Sequence, residues 1–164
     1  MSEVALPVRQ YWPVEITSRL AADCPTVWAR VTTLEGVNAE LAPWLRMTGP
    51  WRSSDLDLAR APLNRPWVVS WVLAVGLIPI DRHVLGLERL EPPRGFREHS
   101  WSLLHRDWIH ERSLDPLPNG GCQLTDRVAF SPRVPLLGEL EVLVVGAIFR
   151  HRHHRLRAVF GTAD

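Results

Sequence analysis

The spacing of apolar residues changes along the chain, and the changes mark out its elements. Val14, Ile16, Ser18 and Leu20 alternate with Glu15, Thr17 and Arg19, the pattern of a half-buried strand. Asp23-Cys24-Pro25 then reads as a helix start, with a capping side chain and a proline just inside. Val27, Trp28 and Val31 give that short helix one apolar face, and a second short helix covers 34–41, ending before Pro43. Residues 44–48 suggest a strand closed by Gly49-Pro50, and 53–60 is polar and irregular or briefly helical. Residues 67–80 are rich in valine and tryptophan, which favours strand, but their period is not clean. A short buried helix stays open there, and the run reads as a buried core segment.

Beyond it the signals sharpen. Strands are predicted over 84–90, 96–104, 108–114 and 122–130. They are separated by the turn 91–95, a connection at Arg106 and Asp107, and the loop 116–121 with its Asn119-Gly120 pair. Regular strands joined by hairpin-like turns imply a mostly antiparallel sheet. The last segment, 135–160, is long enough for a helix of about seven turns. Leu137, Leu140, Val144, Ile148, Phe149, Leu156 and Phe160 recur in it at helical spacing. Prolines 132 and 135 precede it, Glu139 and Glu141 suit its N-terminal dipole, four arginines suit the other end, and Gly161 fits a cap of positive φ.

Composition narrows the function classes. A chain of 164 residues, 46% of them apolar, fits one domain with a real core. With 19 basic and 18 acidic residues it has no global field for nucleic acid or an anionic membrane. Every basic residue is arginine, which excludes lysine chemistry such as a Schiff base. Cys24 and Cys122 form neither a disulfide framework nor a zinc signature, so a reducing, cytoplasmic setting is expected. The first residues show no secretory signal, and the run 67–80 is shorter than the ~20 residues a membrane span needs.

The order of strand, two short helices, antiparallel strands and one long C-terminal helix resembles the helix-grip fold of the START-like (Bet v 1-like, SRPBCC) superfamily. Local phrases carry the same likeness. Trp108-Ile109-His110-Glu111-Arg112 resembles that superfamily's Trp-x-His strand, and Thr125-Asp126-Arg127-Val128 its Thr-Asp-Arg-Val strand. Pro132-Arg133 and the segment from Ile148 to His153 with Leu156 are similar to the C-terminal helix of its bacterial polyketide cyclase/dehydrase or lipid-transport-like branch. The resemblance implies an α+β domain with a curved antiparallel sheet of about six to seven strands gripping the long helix. It also implies a cavity between them for an apolar small molecule such as a lipid or polyketide. The fold hosts carriers, cyclases, hydrolases and regulatory binders, so activity has to be argued from the site.

Alternation supplies that site. Trp108, His110, Arg112 and Leu114 share one strand face; Asp126 shares another with Leu124, Val128 and Phe130; Glu98 follows an inward Phe96. Two carboxylates, an imidazole and a guanidinium on one wall must pair with each other, with water or with a ligand, since an unpaired buried ion costs several kcal/mol. His110, oriented by Asp126 or Glu98, either contacts a ligand or moves a proton; alternatively the group is a structural network that sets strand register. Trp71, Trp101 and Trp108 serve as cavity walls or as core packing. Arg152 reaches an inward carboxylate or a ligand acid, or lies along the surface. Asp81-Arg82-His83 either lines the cavity mouth or is a polar turn. His151, His153 and His154 read as a solvated helix end, not a metal site, and no cofactor is expected.

Three functions follow from these readings. One is a binding or carrier domain for a hydrophobic small molecule. The second is an aromatase/cyclase or dehydratase-type enzyme with His110 and Asp126 as acid and base. The third is an interaction module without a ligand. The expected partner is the apolar molecule itself, with no nucleic acid and no stable membrane insertion; a homodimer stays open.

Overall fold

The computed structural model describes residues 9–49, 58, 61–118 and 120–163. The irregular stretch expected around 53–60 falls almost wholly outside these residues, as do Pro50 and Asn119. The elements run β1 (Trp12–Leu20), α1 (Cys24–Val31), α2 (Leu34–Leu41), β2 (Leu45–Met47), β3 (Pro66–Ala74), β4 (Ile78–Glu91), β5 (Gly95–Ser102), β6 (His105–Pro116), β7 (Cys122–Pro132) and α3 (Gly138–Phe160). The strands form one antiparallel seven-stranded sheet in the order β1-β7-β6-β5-β4-β3-β2. It curls as a half-barrel, and α3 packs along β1, the edge of β7 and α2. This is the helix-grip architecture.

Local chemistry sets the ends of the helices. The Asp23 carboxylate accepts the Thr26 N–H at the start of α1, and Thr33 accepts the Gly36 N–H at the start of α2. A 3₁₀ turn, Pro135–Leu137, leads into α3. Gly138 lets the helix meet β1 closely: a Cβ there would lie 2.3 Å from the indole of Trp12. Gly161 ends α3 at φ 74°, with its N–H on the Arg157 carbonyl.

Four expectations need correction. The run 67–80 is neither a helix nor a buried segment but a hairpin, with Val75 to Leu77 as the turn between β3 and β4. Valine and tryptophan occupy both faces of it, which blurs the period, and Val69, Trp71, Leu77, Ile78 and Ile80 are exposed. Asp81-Arg82-His83 is not a turn: it lies inside β4, with Asp81 and His83 buried.

The apolar stripe of α3 is also shifted. The residues facing the sheet are Val145, Phe149, Arg152, His153 and Leu156, whereas Leu137, Leu140 and Val144 are exposed. The helix turns two charged or polar side chains inward and leaves apolar ones out.

Lastly, Cys24 and Cys122 are not free thiols but a disulfide, with Cα atoms 5.0 Å apart. Register explains the pairing: Leu20, the last residue of β1, sits opposite Cys122 in β7, so α1 starts directly over that residue. Leu20, Val27, Val31, Leu114, Leu124 and Leu156 pack around the bond as one core cluster. A second cluster, Val128, Phe130, Val145 and Phe149, lies further along β7 and α3.

Candidate functional site

Between the two clusters the interior is polar. Strand register delivers the groups in cross-strand pairs: Glu98 lies opposite His110, and Arg112 opposite Asp126. Asp126 is the hub. Its Oδ1 accepts from Arg112 Nε at 2.7 Å and lies 2.9 Å from His110 Nε2. Its Oδ2 accepts from Arg112 Nη2 at 2.7 Å and lies 3.0 Å from His153 Nε2. The far side of the Arg112 guanidinium reaches Glu40 of α2 at 3.1 and 3.2 Å, and Glu40 is shared with Arg152, whose Nη2 lies 2.8 Å away. At the other end Glu98 lies 3.6 Å from His110 Nδ1 and 2.8 Å from His83 Nε2, and accepts the Ser100 hydroxyl at 2.6 Å. Ser18 of β1 holds the remaining nitrogen of His153 at 2.8 Å. Among the described residues, no buried side-chain nitrogen or oxygen lacks a partner.

The electrostatics are self-consistent. Three buried carboxylates face two guanidiniums, so one further positive charge balances the group. Burial alone would raise the carboxyl pKa values. Instead Arg112 and Arg152 hold Glu40 below its ordinary value, Arg112 and His110 hold Asp126 well below, and the His110 and His83 rings do the same for Glu98. Burial also opposes a charge on His110, yet the Asp126 carboxylate and the Glu98 contact outweigh it and raise the His110 pKa. The His110 ring lies between Asp126 and Glu98, where such a charge would be held. It is 4% exposed and enclosed by Phe96 and Phe149, with ring centroids at 5.3 and 5.2 Å.

Of the residues singled out from sequence, Glu98, His110, Arg112, Asp126 and Arg152 come together in this network, and Trp108 packs beside it against Phe130 and Phe149. Arg152 is buried, not spread along the surface. His153 is fully enclosed and His151 bonds the Ala42 carbonyl at 2.7 Å, which corrects the reading of a solvated helix end; His154 alone is exposed. Trp71 and Trp101 are not brought in. Ser70 and Ser102, their neighbours, point inward, so these two indoles lie on the convex face.

Sequence reasoning missed Glu40 and Ser18, and it weighed His83 only as a cavity-mouth or turn residue and His153 only as part of a helix end. Glu40 carries a helix-face signal: it sits beside Leu41 on the buried side of α2. Among the described residues, no group of three or more His, Cys, Asp or Glu is arranged to hold a metal ion. Two depressions among the described residues lie elsewhere than between sheet and α3. One of about 220 Å³ is on the convex face, lined by residues including Arg65, Gly86, His99 and Trp101; a small cleft lies between α1, α2 and α3 beside Arg30 and Arg155.

The opposite end of the half-barrel exposes apolar side chains, among them Leu77, Leu103, Leu104 and Leu140. Its tips are held side by side by polar bonds: the Asp81 carboxylate accepts the N–H groups of Leu103 and Leu104, and Arg133 donates to the Leu104 and Ser102 carbonyls through its N–H and Nε. The Val75 N–H bonds the Trp44 carbonyl at 2.7 Å, tying in a fourth segment. At this end His105 Nε2 of β6 meets Glu141 Oε2 of α3 at 2.9 Å. Among the described residues, this is the one side-chain hydrogen bond from the first three turns of α3 to the sheet. Burial lowers the His105 pKa to about 4, and burial raises that of Glu141.

Comparison with known proteins now places the chain. Residues 18–160 match a family described as a domain of unknown function, DUF8410. The chain belongs to the DUF8410 family. No curated protein matches it. Solved structures do. A START superfamily protein from Mycobacterium smegmatis aligns with a TM-score of 0.67 at 14% identity, over 91% of this chain and 97% of that one. Protein CV1439 from Chromobacterium violaceum aligns with a TM-score of 0.68 at 15% identity, over 93% and 99%. CalU16 from Micromonospora echinospora gives 0.58 at 18% identity, over 96% and 86%. At such identities the likeness concerns the fold. This DUF8410 domain thus has the START-like fold, and no helix among its described residues is long and apolar enough to cross a membrane.

Proposed function

We propose that this DUF8410 domain binds a hydrophobic small molecule between the first turns of α3 and the inner face of β4–β6, admitted at the apolar end of the half-barrel. The observation that carries the reading is the misplaced apolar face of α3. Leu137, Leu140 and Val144 are solvent-exposed, next to apolar strand tips, where one imidazole–carboxylate contact bridges the mouth. Apolar side chains kept out of the core at the open end of a fold used by START-like proteins fit an occupant of the same character. Trp108 and Phe149 form the floor of that site, and the ion network lies below them as a rigid wall.

The same geometry weighs against acid–base turnover by His110 and Asp126. Both ring nitrogens of His110 face carboxylates, and two phenylalanines shield the ring from a substrate.

The test is thermal unfolding of the full chain with oleate and with an anilinonaphthalene fluorophore, together with native mass spectrometry of protein from its host. A bound molecule at one per chain and a rise in Tm of about 5 °C at saturating probe are expected. A bare mass and an unmoved Tm with both probes would end the reading.

A further inference from the structure

Two acceptor atoms on the concave face of β4 lack a partner among the described residues. Asp81 and His83 lie two residues apart on that strand, so their side chains share the face, with Cα atoms about 7 Å apart. Asp81 is 6% exposed. Its Oδ1 accepts the N–H groups of Arg82, Leu103 and Leu104 at 2.8, 2.9 and 3.3 Å. Its Oδ2 accepts none, and Arg133 donates to the Leu104 and Ser102 carbonyls instead. His83 is 7% exposed, with Nε2 2.8 Å from Glu98 Oε1. Against burial, the His110 and His83 rings keep Glu98 a carboxylate, which can only accept. The neutral His83 ring therefore carries its proton on Nε2, and Nδ1 is a bare acceptor. Since no fully enclosed side-chain nitrogen or oxygen among the described residues is unpaired, both bare atoms reach accessible space.

The polar groups around these atoms are already engaged. Ser70 and Ser102 stand opposite His83 on the two flanking strands. Ser70 donates to the Thr48 carbonyl, and Ser102 accepts the Leu104 and His105 N–H groups. His105 is held between Ser102 and Glu141. The His83 ring meets Trp108 edge-on, with centroids 6.0 Å apart, and Trp108 floors the ligand site proposed above. A carboxylate oxygen and an imidazole nitrogen left bare beside an aromatic floor are costly unless a donor from outside the chain reaches them. Glu141 stands near enough that, after burial, the Asp81 charge raises its pKa. A ligand carboxylate placed here would meet like charge.

We infer that Asp81 and His83 set the chemical class of the ligand: an apolar molecule whose head group donates hydrogen bonds, an alcohol or an ammonium, and is not an acid. Resting on the ligand site proposed above, this assigns the head group to Asp81 Oδ2 and His83 Nδ1 and leaves the apolar tail to the first turns of α3. The tail supplies most of the affinity by burial, so an acid with the same tail still binds, but less tightly.

The experiment is calorimetric titration of the full chain at pH 8 with 1-decanol, decylamine and decanoate, which share one tail and differ in the head. Decanol and decylamine should each bind about ten-fold tighter than decanoate. Asp81→Asn keeps an oxygen for the three N–H groups and turns the bare atom from acceptor to donor. It should weaken decylamine about ten-fold and strengthen decanoate about five-fold, with unchanged circular dichroism. His83→Phe removes the other acceptor, keeps a ring against Trp108, and should weaken decanol about five-fold. If none of the three probes binds the unaltered protein, the ligand site itself falls and the head-group assignment with it. If all three bind alike, if decanoate binds best, or if neither variant weakens the two donors, the assignment alone is overturned.

Discussion

At one end of the molecule charge is inside; at the other, apolar surface is outside. The end where α1 and α2 flank the last turns of α3 buries Glu40, Arg112, Asp126, Arg152 and His153 and closes around a disulfide. The end where α3 begins exposes leucines and a valine from the helix itself and from the strand tips. One helix spans both regions and reverses its use of residue type between them. A buried network with every partner satisfied fixes geometry and leaves nothing free for chemistry. An exposed apolar face does the opposite: it adds nothing to the fold and is available for contact. The invitation to read the ionisable cluster as the working site therefore points to the wrong end.

The sharpest way to break this contrast is Asp126→Asn. It leaves the Arg112 guanidinium, His110 and His153 facing an amide in a buried site, and a loss of about 3–5 kcal/mol is expected in urea unfolding. A loss under about 1 kcal/mol would show that the network does not hold the closed end. Next is the disulfide, which joins residues 98 apart in sequence. Reduction, or Cys24→Ser with Cys122→Ser, should lower stability by about 2–5 kcal/mol, and a thiol titration of the unfolded, unreduced chain should find none.

A smaller effect sharpens the boundary between the regions. The folded pKa of His105 is depressed to about 4, so its contribution is full above the unfolded value near 6.5 and is lost as pH falls toward 4. His105→Gln should flatten that part of the Tm–pH curve. His110 has the opposite sign: its raised folded pKa gives stability that is full below about 6.5 and lost as pH rises through the folded value. The smallest effect belongs to the open end, where Leu103→Asp should change stability by no more than about 0.5 kcal/mol while weakening contact with apolar partners.

Much of the fold was legible because its signals are local. The Asp23 cap, the limits of α2, the alternation through His110 and Asp126, and Gly161 at the end of α3 all follow from neighbours in sequence. Their order carried the helix-grip likeness. What escaped depends on contacts across the chain. Cys24 and Cys122 meet because β1 pairs with β7 in one register. Glu40 and His153 are buried because partners more than a hundred residues or a full strand away hydrogen-bond them, which no local pattern reports. The stripe of α3 was misread for the same reason: Leu140 looked like core, and Arg152 stayed open between an inward carboxylate and the surface until its partner Glu40 was known.

Hydrogen exchange with and without oleate tests the division of labour most directly. The account predicts slowed exchange in 75–80, 101–106 and 133–144, with 122–130 and 149–156 unchanged. Protection confined to the closed end, or none at either, would contradict it.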